Sequence, residues 1–196
     1  GFLNVISIFS FIGISLGVAV LIIVMSVMNG FRTELINKIV GFNPHITVKS
    51  YNNKVITDNK NIQLISENMV LTNSGEAIIL KSNSSKGILL RGYSNEDFDN
   101  LNTINNENFV GKKKNLTKNS ISIGKELSFT LDIDLGDTIT VMSSSGIETI
   151  IGNLPKRKTF TIISLYESGL AEFDNNVGFI NINTLDEFFD LDQKNK

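Results

Sequence analysis

The sequence predicts a mixed α+β domain carried behind a single membrane-spanning helix. Three observations predict it. From Gly1 to Phe31 there is no charged residue, so all 18 Lys and Arg and all 20 Asp and Glu fall in the 165 positions that follow. Beyond Pro44 the chain breaks into short β-type runs bounded by turn residues. Only a few stretches there carry helical periodicity, which describes α+β rather than an alternating βαβ pattern.

The apolar head comes first. Val5 to Met28 is 24 residues long and interrupted only by serines and glycines. As a helix it spans about 36 Å, against the roughly 30 Å of a bilayer core. A secretory signal has an apolar stretch of roughly 7–15 residues followed by a small-x-small cleavage site. This run is longer and ends in Met25-Ser26-Val27-Met28-Asn29, so a span is expected. Arg32, Glu34 and Lys38 follow with mixed sign and do not fix its orientation.

Ser10, Gly13 and Gly17 lie on one face of this helix. Two readings stand: removal of side-chain bulk that lets a second membrane helix approach closely, or the ordinary abundance of glycine in such helices. Phe31, Leu35, Ile36 and Ile39 continue an apolar stripe to Gly41 and Asn43-Pro44, a stop signal. The helix is therefore expected to leave the bilayer as a stalk of about three turns that docks on the body. This gives two regions, 1–42 (helix and stalk) and 43–196 (the body).

In the body the expected strands are Ile46 to Lys49, Ala77 to Lys81, Ile88 to Arg91, Ile121 to Ile123, Thr138 to Met142, Phe160 to Leu165 and Val177 to Ile182, with Ser82 to Lys86 as a hairpin turn. Helices are expected over Asn61 to Glu67, Lys125 to Leu131 and Thr184 to Leu191, the last with Thr184 and Glu187 as a capping box. With its own strands and ordinary charge content, the body is expected to fold without membrane or metal.

Composition excludes several function classes. The absence of Cys removes disulfides, thiol catalysis and cysteine metal sites, and His45, the one histidine, leaves a His-rich site without ligands. A net charge of −2 gives no general attraction to nucleic acid. Asp132-Ile-Asp134-Leu-Gly-Asp137 begins like a calcium loop but lacks the closing Glu, so turn chemistry around Gly136-Asp137 is the better account. Gly111-Lys112 and Gly124-Lys125 lack the upstream glycine of a phosphate-binding loop. No cofactor, metal or catalytic constellation is expected.

One segment stands out. Between the strands Thr138 to Met142 and Phe160 to Leu165, 17 residues from Ser143 to Thr159 read as a loop, where hairpins usually use about 2–5. It carries Ile147, Ile150, Ile151 and Leu154, then Pro155 and the triplet Lys156-Arg157-Lys158. Apolar side chains on a projecting loop beside basic residues suggest docking onto a partner with an apolar recess and an acidic rim, unless the isoleucines tuck back onto the body.

Phe11-Ile-Gly-Ile-Ser-Leu-Gly-Val-Ala-Val20, Ser26-Val-Met-Asn-Gly-Phe31 and Gly41-Phe-Asn-Pro-His-Ile-Thr-Val48 together resemble the first membrane helix and its exit in the LolC/LolE family. That family supplies the membrane subunits of the lipoprotein-releasing ABC transporter of Gram-negative bacteria. The likeness continues through Leu90-Arg-Gly92, Ile123-Gly124, Leu135-Gly-Asp137, Glu167-Ser-Gly169 and Glu172-Phe-Asp174, patterns shared more widely with MacB-like and FtsX-like permeases.

The resemblance implies a helix with a cytoplasmic N-terminus in the bacterial inner membrane and a MacB-like periplasmic core domain with a long hairpin hook. It implies pairing with a second such subunit or with itself, a separate LolD-like cytoplasmic ATPase, lipoprotein substrates and a LolA-like periplasmic carrier. Gly146 to Pro155 would be the carrier-docking hook, with Gly146, Ile147, Ile150, Ile151, Gly152, Leu154 and Pro155 as its residues and Lys156, Arg157 and Lys158 as the basic pad. Ile150 stands where family hooks tend to carry a second proline, and three adjacent basic residues exceed the family pattern. The resemblance leaves the LolC, LolE and fused types open, and implies three further membrane helices that are not among these 196 residues. The competing readings are a MacB-like exporter or other FtsX-like permease without a hook, a single-pass anchored periplasmic binding domain, and an anchored hydrolase.

Overall fold

The computed structural model describes residues 1–40, 46–48, 69–81, 84–101, 109–111, 116–149 and 152–191. The chain divides into two compact units, Gly1–Asn43 and Pro44–Lys196.

The first unit is one helix, α1 (Phe2–Val40). Its Phe2–Ile36 portion reaches a mean hydropathy of 2.8, long and apolar enough to cross a membrane. Large apolar side chains are exposed around its whole circumference, so the helix offers apolar surface on every face. It runs without a break past Phe31 and Leu35, as the apolar stripe implies.

The second unit is built on a mixed sheet of β1 (Asn73–Lys81), β2 (Ser84–Tyr93), β3 (Val110–Gly111), β4 (Ser120–Gly124), β5 (Thr138–Thr149), β6 (Gly152–Tyr166) and β7 (Val177–Asn181). The order is β3-β6-β4-β7-β2-β1-β5, and β6 also pairs with β5. Six strands therefore form a closed pairing circuit, β6-β4-β7-β2-β1-β5. The β4–β6 and β2–β7 pairs are parallel and the rest antiparallel.

Among the described residues the helices that accompany the sheet are α2 (Asn95–Asp99), α3 (Lys125–Leu131), α4 (Ala171–Asn176) and α5 (Ile182–Phe189). Ser94 caps α2 by accepting the Asp97 N–H at 3.1 Å. Leu127 and Leu131 anchor α3 in the core, and Asp132 closes it in the left-handed conformation.

Alternation along the strands divides the interior in two. Ile79, Ile88, Leu90, Ile121, Ile123, Ile139, Val141, Phe160 and Ile162 form one cluster, covered by Leu185, Phe188 and Phe189 of α5. On β2 and β7 the alternate residues, Tyr93, Val177 and Phe179, build a second cluster with Phe98 and Tyr166. Phe179 lies 5.0 to 6.4 Å, centroid to centroid, from the rings of Tyr93, Phe98, Tyr166 and Phe173. Strands buried on both faces explain the near-continuous apolar runs of the sequence.

Several expectations need correction. Ile46–Val48 carries no strand, and the remainder of that expected element and the helix expected over Asn61 to Glu67 lie outside the described residues, as does His45. The last helix begins at Ile182 with Asn181 as its cap, accepting the Asn183 N–H at 3.1 Å, so the Thr184–Glu187 capping box does not form. Thr184 is buried and bonds the Lys118 carbonyl instead, at 3.5 Å. The short helices α2 and α4 were not expected: two turns or fewer give periodicity nothing to register. At the rejected calcium loop, the Asp137 carboxylate accepts the Asp134 N–H and the Lys81 ammonium, each at 3.2 Å, and Gly136 takes φ +91°. Those contacts hold its carboxyl below the usual range.

Candidate functional site

The segment expected as a 17-residue loop is mostly paired strand. Thr138 to Met142 faces Thr161 to Arg157, and after an irregularity Gly146, Ile147, Glu148 and Thr149 face Pro155, Leu154, Asn153 and Gly152. Only positions 150 and 151 separate the two strands, and they lie outside the described residues. The expected loop is thus a long β-hairpin.

Neighbouring pairings set how far this hairpin stands out. β1 accompanies β5 only as far as Ser143, opposite Ala77, and β4 joins β6 only from Thr161 onward. Among the described residues, Gly146–Thr149 and Gly152–Pro155 pair with each other alone, as a two-stranded arm. Pro155 fits there because an arm strand does not need its missing N–H for a further ladder. Gly152 has φ +120° with open space around its Cβ position, so backbone conformation rather than crowding requires glycine.

The proposed hook residues are distributed as follows. Gly146, Gly152, Leu154 and Pro155 lie on the arm, with Leu154 56% exposed. Ile147 is in the β5 half of the arm, opposite Leu154. Ile150 and Ile151 lie outside the described residues.

The basic triplet does not form one pad. Successive strand residues point to opposite faces. Lys156 and Lys158 share the face of Phe160, whose buried ring meets Phe188 of α5 at 6.4 Å. Arg157 is exposed on the other face. The Lys156 ammonium pairs with the Asp190 carboxylate at 2.5 Å and donates to the Glu187 carbonyl at 3.3 Å. The Lys158 ammonium sits 5.7 Å from the centre of its neighbour Phe160's ring. Partial burial pulls the Lys158 ammonium below its ordinary range, the nearby Glu187 opposing and Lys118 adding to the effect. Glu187 is held low by its 3.2 Å contact with Lys118, then by the Lys118 and Lys158 charges. Leu154, Pro155, Lys156, Arg157, Lys158, Glu187 and Phe188 line a shallow groove between the arm's base and α5.

Glu187 and Asp190 therefore engage the triplet, with Lys118 bound to Glu187 and opposing the Lys158 charge, an arrangement that no local pattern announces. They come from β-turn and helix-end positions 29 or more residues away from it in the chain, and only the fold brings them together. On the other unit, Ser10, Gly13 and Gly17 lie along one face of α1, and a Cβ at either glycine would meet nothing within 4 Å. Among the described residues, no group of three or more His, Cys, Asp or Glu side chains is placed to hold a metal ion.

A mixed sheet with flanking helices behind an apolar helix defines a class, and the comparison with protein families names it. Residues 7–195 match the MacB-like periplasmic core domain, and the chain belongs to that family. Within it, the chain is similar to lipoprotein-releasing system transmembrane proteins. It is 29% identical to LolC of Neisseria meningitidis serogroup B over 99% of its own length and 48% of that protein. LolC of Xylella fastidiosa is 27% identical over 98% of this chain and 48% of the relative. LolE of Haemophilus influenzae is 32% identical over 69% and 35%. The LolC/LolE resemblance of the sequence motifs is thereby borne out. The chain spans about half the length of the curated relatives it matches.

Proposed function

We propose that this chain belongs to a membrane subunit of an ABC transporter that releases lipoproteins from the bacterial inner membrane and hands them to a LolA-like periplasmic carrier. In this reading α1 crosses the inner membrane, the second unit stands in the periplasm, a LolD-like ATPase supplies the energy from the cytoplasm, and a second LolC/LolE-type subunit or another copy completes the dimer. The observation that carries the docking step is the arm, which projects past its sheet neighbours with Leu154 exposed and Arg157 open to solvent at its base. Apolar surface held away from a core invites a partner to cover it, and flanking cations favour an acidic rim on that partner.

The test is a titration of the carrier from the same organism against the detergent-solubilised chain and against a version in which 146–155 is replaced by an Asn-Gly turn. Binding that is lost with the arm supports the hook. Binding that survives overturns it, and an intact chain that binds no carrier favours the lipoprotein-sensing partner or another MacB-like or FtsX-like permease.

A further inference from the structure

The ladder irregularity lies where the arm leaves the sheet. Met142 pairs with Arg157 and Gly146 with Pro155, so Ser143, Ser144 and Ser145 of β5 stand opposite the single residue Lys156 of β6. Extra residues on one strand interrupt the ladder, bend the strand and increase local twist. Beyond this point the arm is an isolated two-stranded ribbon, which is marginal by itself in water. The interruption is therefore where its direction is least determined by backbone pairing.

Lys156 also ties β6 to α5, nearer the arm than the Phe160–Phe188 contact. Its ammonium meets the Asp190 carboxylate and the Glu187 carbonyl, at a helix end whose carbonyls carry partial negative charge. Its side chain is mostly shielded, and Asp190 is fixed in the left-handed conformation at φ 56° by the helix stop. The anchor is tied by an ion pair and a hydrogen bond, whereas the ribbon beyond it has no pairing outside its own two strands among the described residues.

We propose that Lys156 is a positioning residue rather than a carrier contact: through Asp190 and the Glu187 carbonyl it latches the arm to the C-terminal end of α5 and sets its angle across the Ser143–Ser145 interruption. Its consequence for carrier binding rests on the docking function proposed above, while the latch does not. Four residues beyond the interruption extend about 13 Å, so a 20° swing moves the arm's end by roughly 5 Å. An arm that spends a tenth of its time correctly aimed binds about tenfold more weakly, since apparent affinity scales with the competent fraction.

The chain has no cysteine, so Thr149→Cys with Glu126→Cys accepts two spin labels without background. In the detergent-solubilised chain, Lys156→Met and Asp190→Asn should each broaden the label-to-label distance distribution by roughly 5 Å and speed amide exchange in 146–149 and 152–155, the double variant adding nothing further. Asn is chosen at 190 because it tolerates the left-handed conformation. Lys156→Arg should preserve the narrow distribution. Carrier affinity should fall about tenfold in the Met and Asn variants. An unchanged distribution in Lys156→Met overturns the latch, and so does equal broadening in Lys156→Arg, since the cation's pairing with the end of α5 is then not what holds the arm. Broadening in both variants of a chain that binds no carrier leaves the latch standing and removes the docking function.

Discussion

Both carboxylate oxygens of Asp174 accept the backbone N–H of Ser168 at 3.0 Å, in a site where Asp174 is 2% exposed. This contact clamps the turn between β6 and α4, and it sets an acid beside the aromatic cluster. Burial lifts the carboxyl above its ordinary range, the Ser168 hydrogen bonds only partly opposing it and the Glu167 charge adding to it. A raised Asp costs the fold nothing at pH low enough for both folded and unfolded states to hold the proton. The cost sets in as pH rises from the ordinary Asp value of about 4 through the higher folded value.

Asp174→Asn keeps an acceptor and removes the charge, so its stability relative to wild type should rise between about pH 4 and neutral. Asp174→Ala orphans the buried Ser168 N–H and should cost about 1–3 kcal/mol at acid pH, a loss that narrows as pH rises because the buried charge is removed as well. Thermal melts of the three chains across that pH range provide the check. A wild-type-minus-Asn difference that stays flat with pH removes the electrostatic part of the account.

Gly124, the cap of α3, is required by the same neighbourhood. A Cβ there would stand 2.0 Å from the Asp174 carbonyl oxygen and 2.5 Å from its Cα, which is backbone and has no rotamer to yield. Gly124→Ala should force α4 away from β4 and cost about 3 kcal/mol. Gly87→Ala in β2 meets nothing within 4 Å and should be neutral or slightly stabilising. Denaturant melts of both variants decide this, equal losses at the two positions being the contrary result.

The parts of the fold legible in the sequence were those with long local signatures. The head is legible as a long helix because 31 residues without charge form one continuous apolar run, and α3 because Leu127 and Leu131 lie one helical turn apart between Gly124 and Asp132. Strand cores at Ile79, Ile121, Phe160 and Phe179 were legible for the same reason. The arm was misread because Ser143–Ser145 and Pro155 interrupt alternation, and a ladder irregularity has the same local composition as a loop. The triplet reads as one surface in the sequence, yet neighbouring residues of a strand fall on opposite faces. What engages Lys156 depends on Asp190, 34 residues away, and no window on the sequence holds both.

With Lys156 held by Asp190, the other two cations of the triplet, Arg157 and Lys158, are distinguishable. Arg157 is open to solvent, whereas Lys158 lies over Phe160 near Glu187. Under the docking function, Arg157→Glu should slow carrier association several-fold and flatten its salt dependence, because an exposed rim charge acts mainly on encounter. Lys158→Glu places a second acid beside Glu187, and should lower the melting temperature as well as the association rate. Stopped-flow binding at two ionic strengths, with melts alongside, separates these effects. If Lys158→Glu proves the stronger purely kinetic variant, the carrier approaches from the α5 face instead.

The last prediction concerns α1, where Ser10, Gly13 and Gly17 leave one face without bulk and nothing within 4 Å of either glycine's Cβ position. Lipid is as apolar as leucine, so hydrophobicity does not drive helices together within a bilayer. Close approach at small residues does, through packing and lipid release. If this face receives a neighbouring membrane helix, Gly13→Leu with Gly17→Leu fills the approach and should sharply reduce recovery of the assembled subunits from membranes. The same double change leaves α1 apolar and improves its helix propensity, so insertion itself should be unaffected. Affinity purification through a tag on the ATPase subunit proposed above, with membrane insertion scored separately, reads the two effects apart. Recovery equal to wild type shows that these glycines face lipid, and a loss of Gly17→Leu alone would place the contact at the deeper of the two positions.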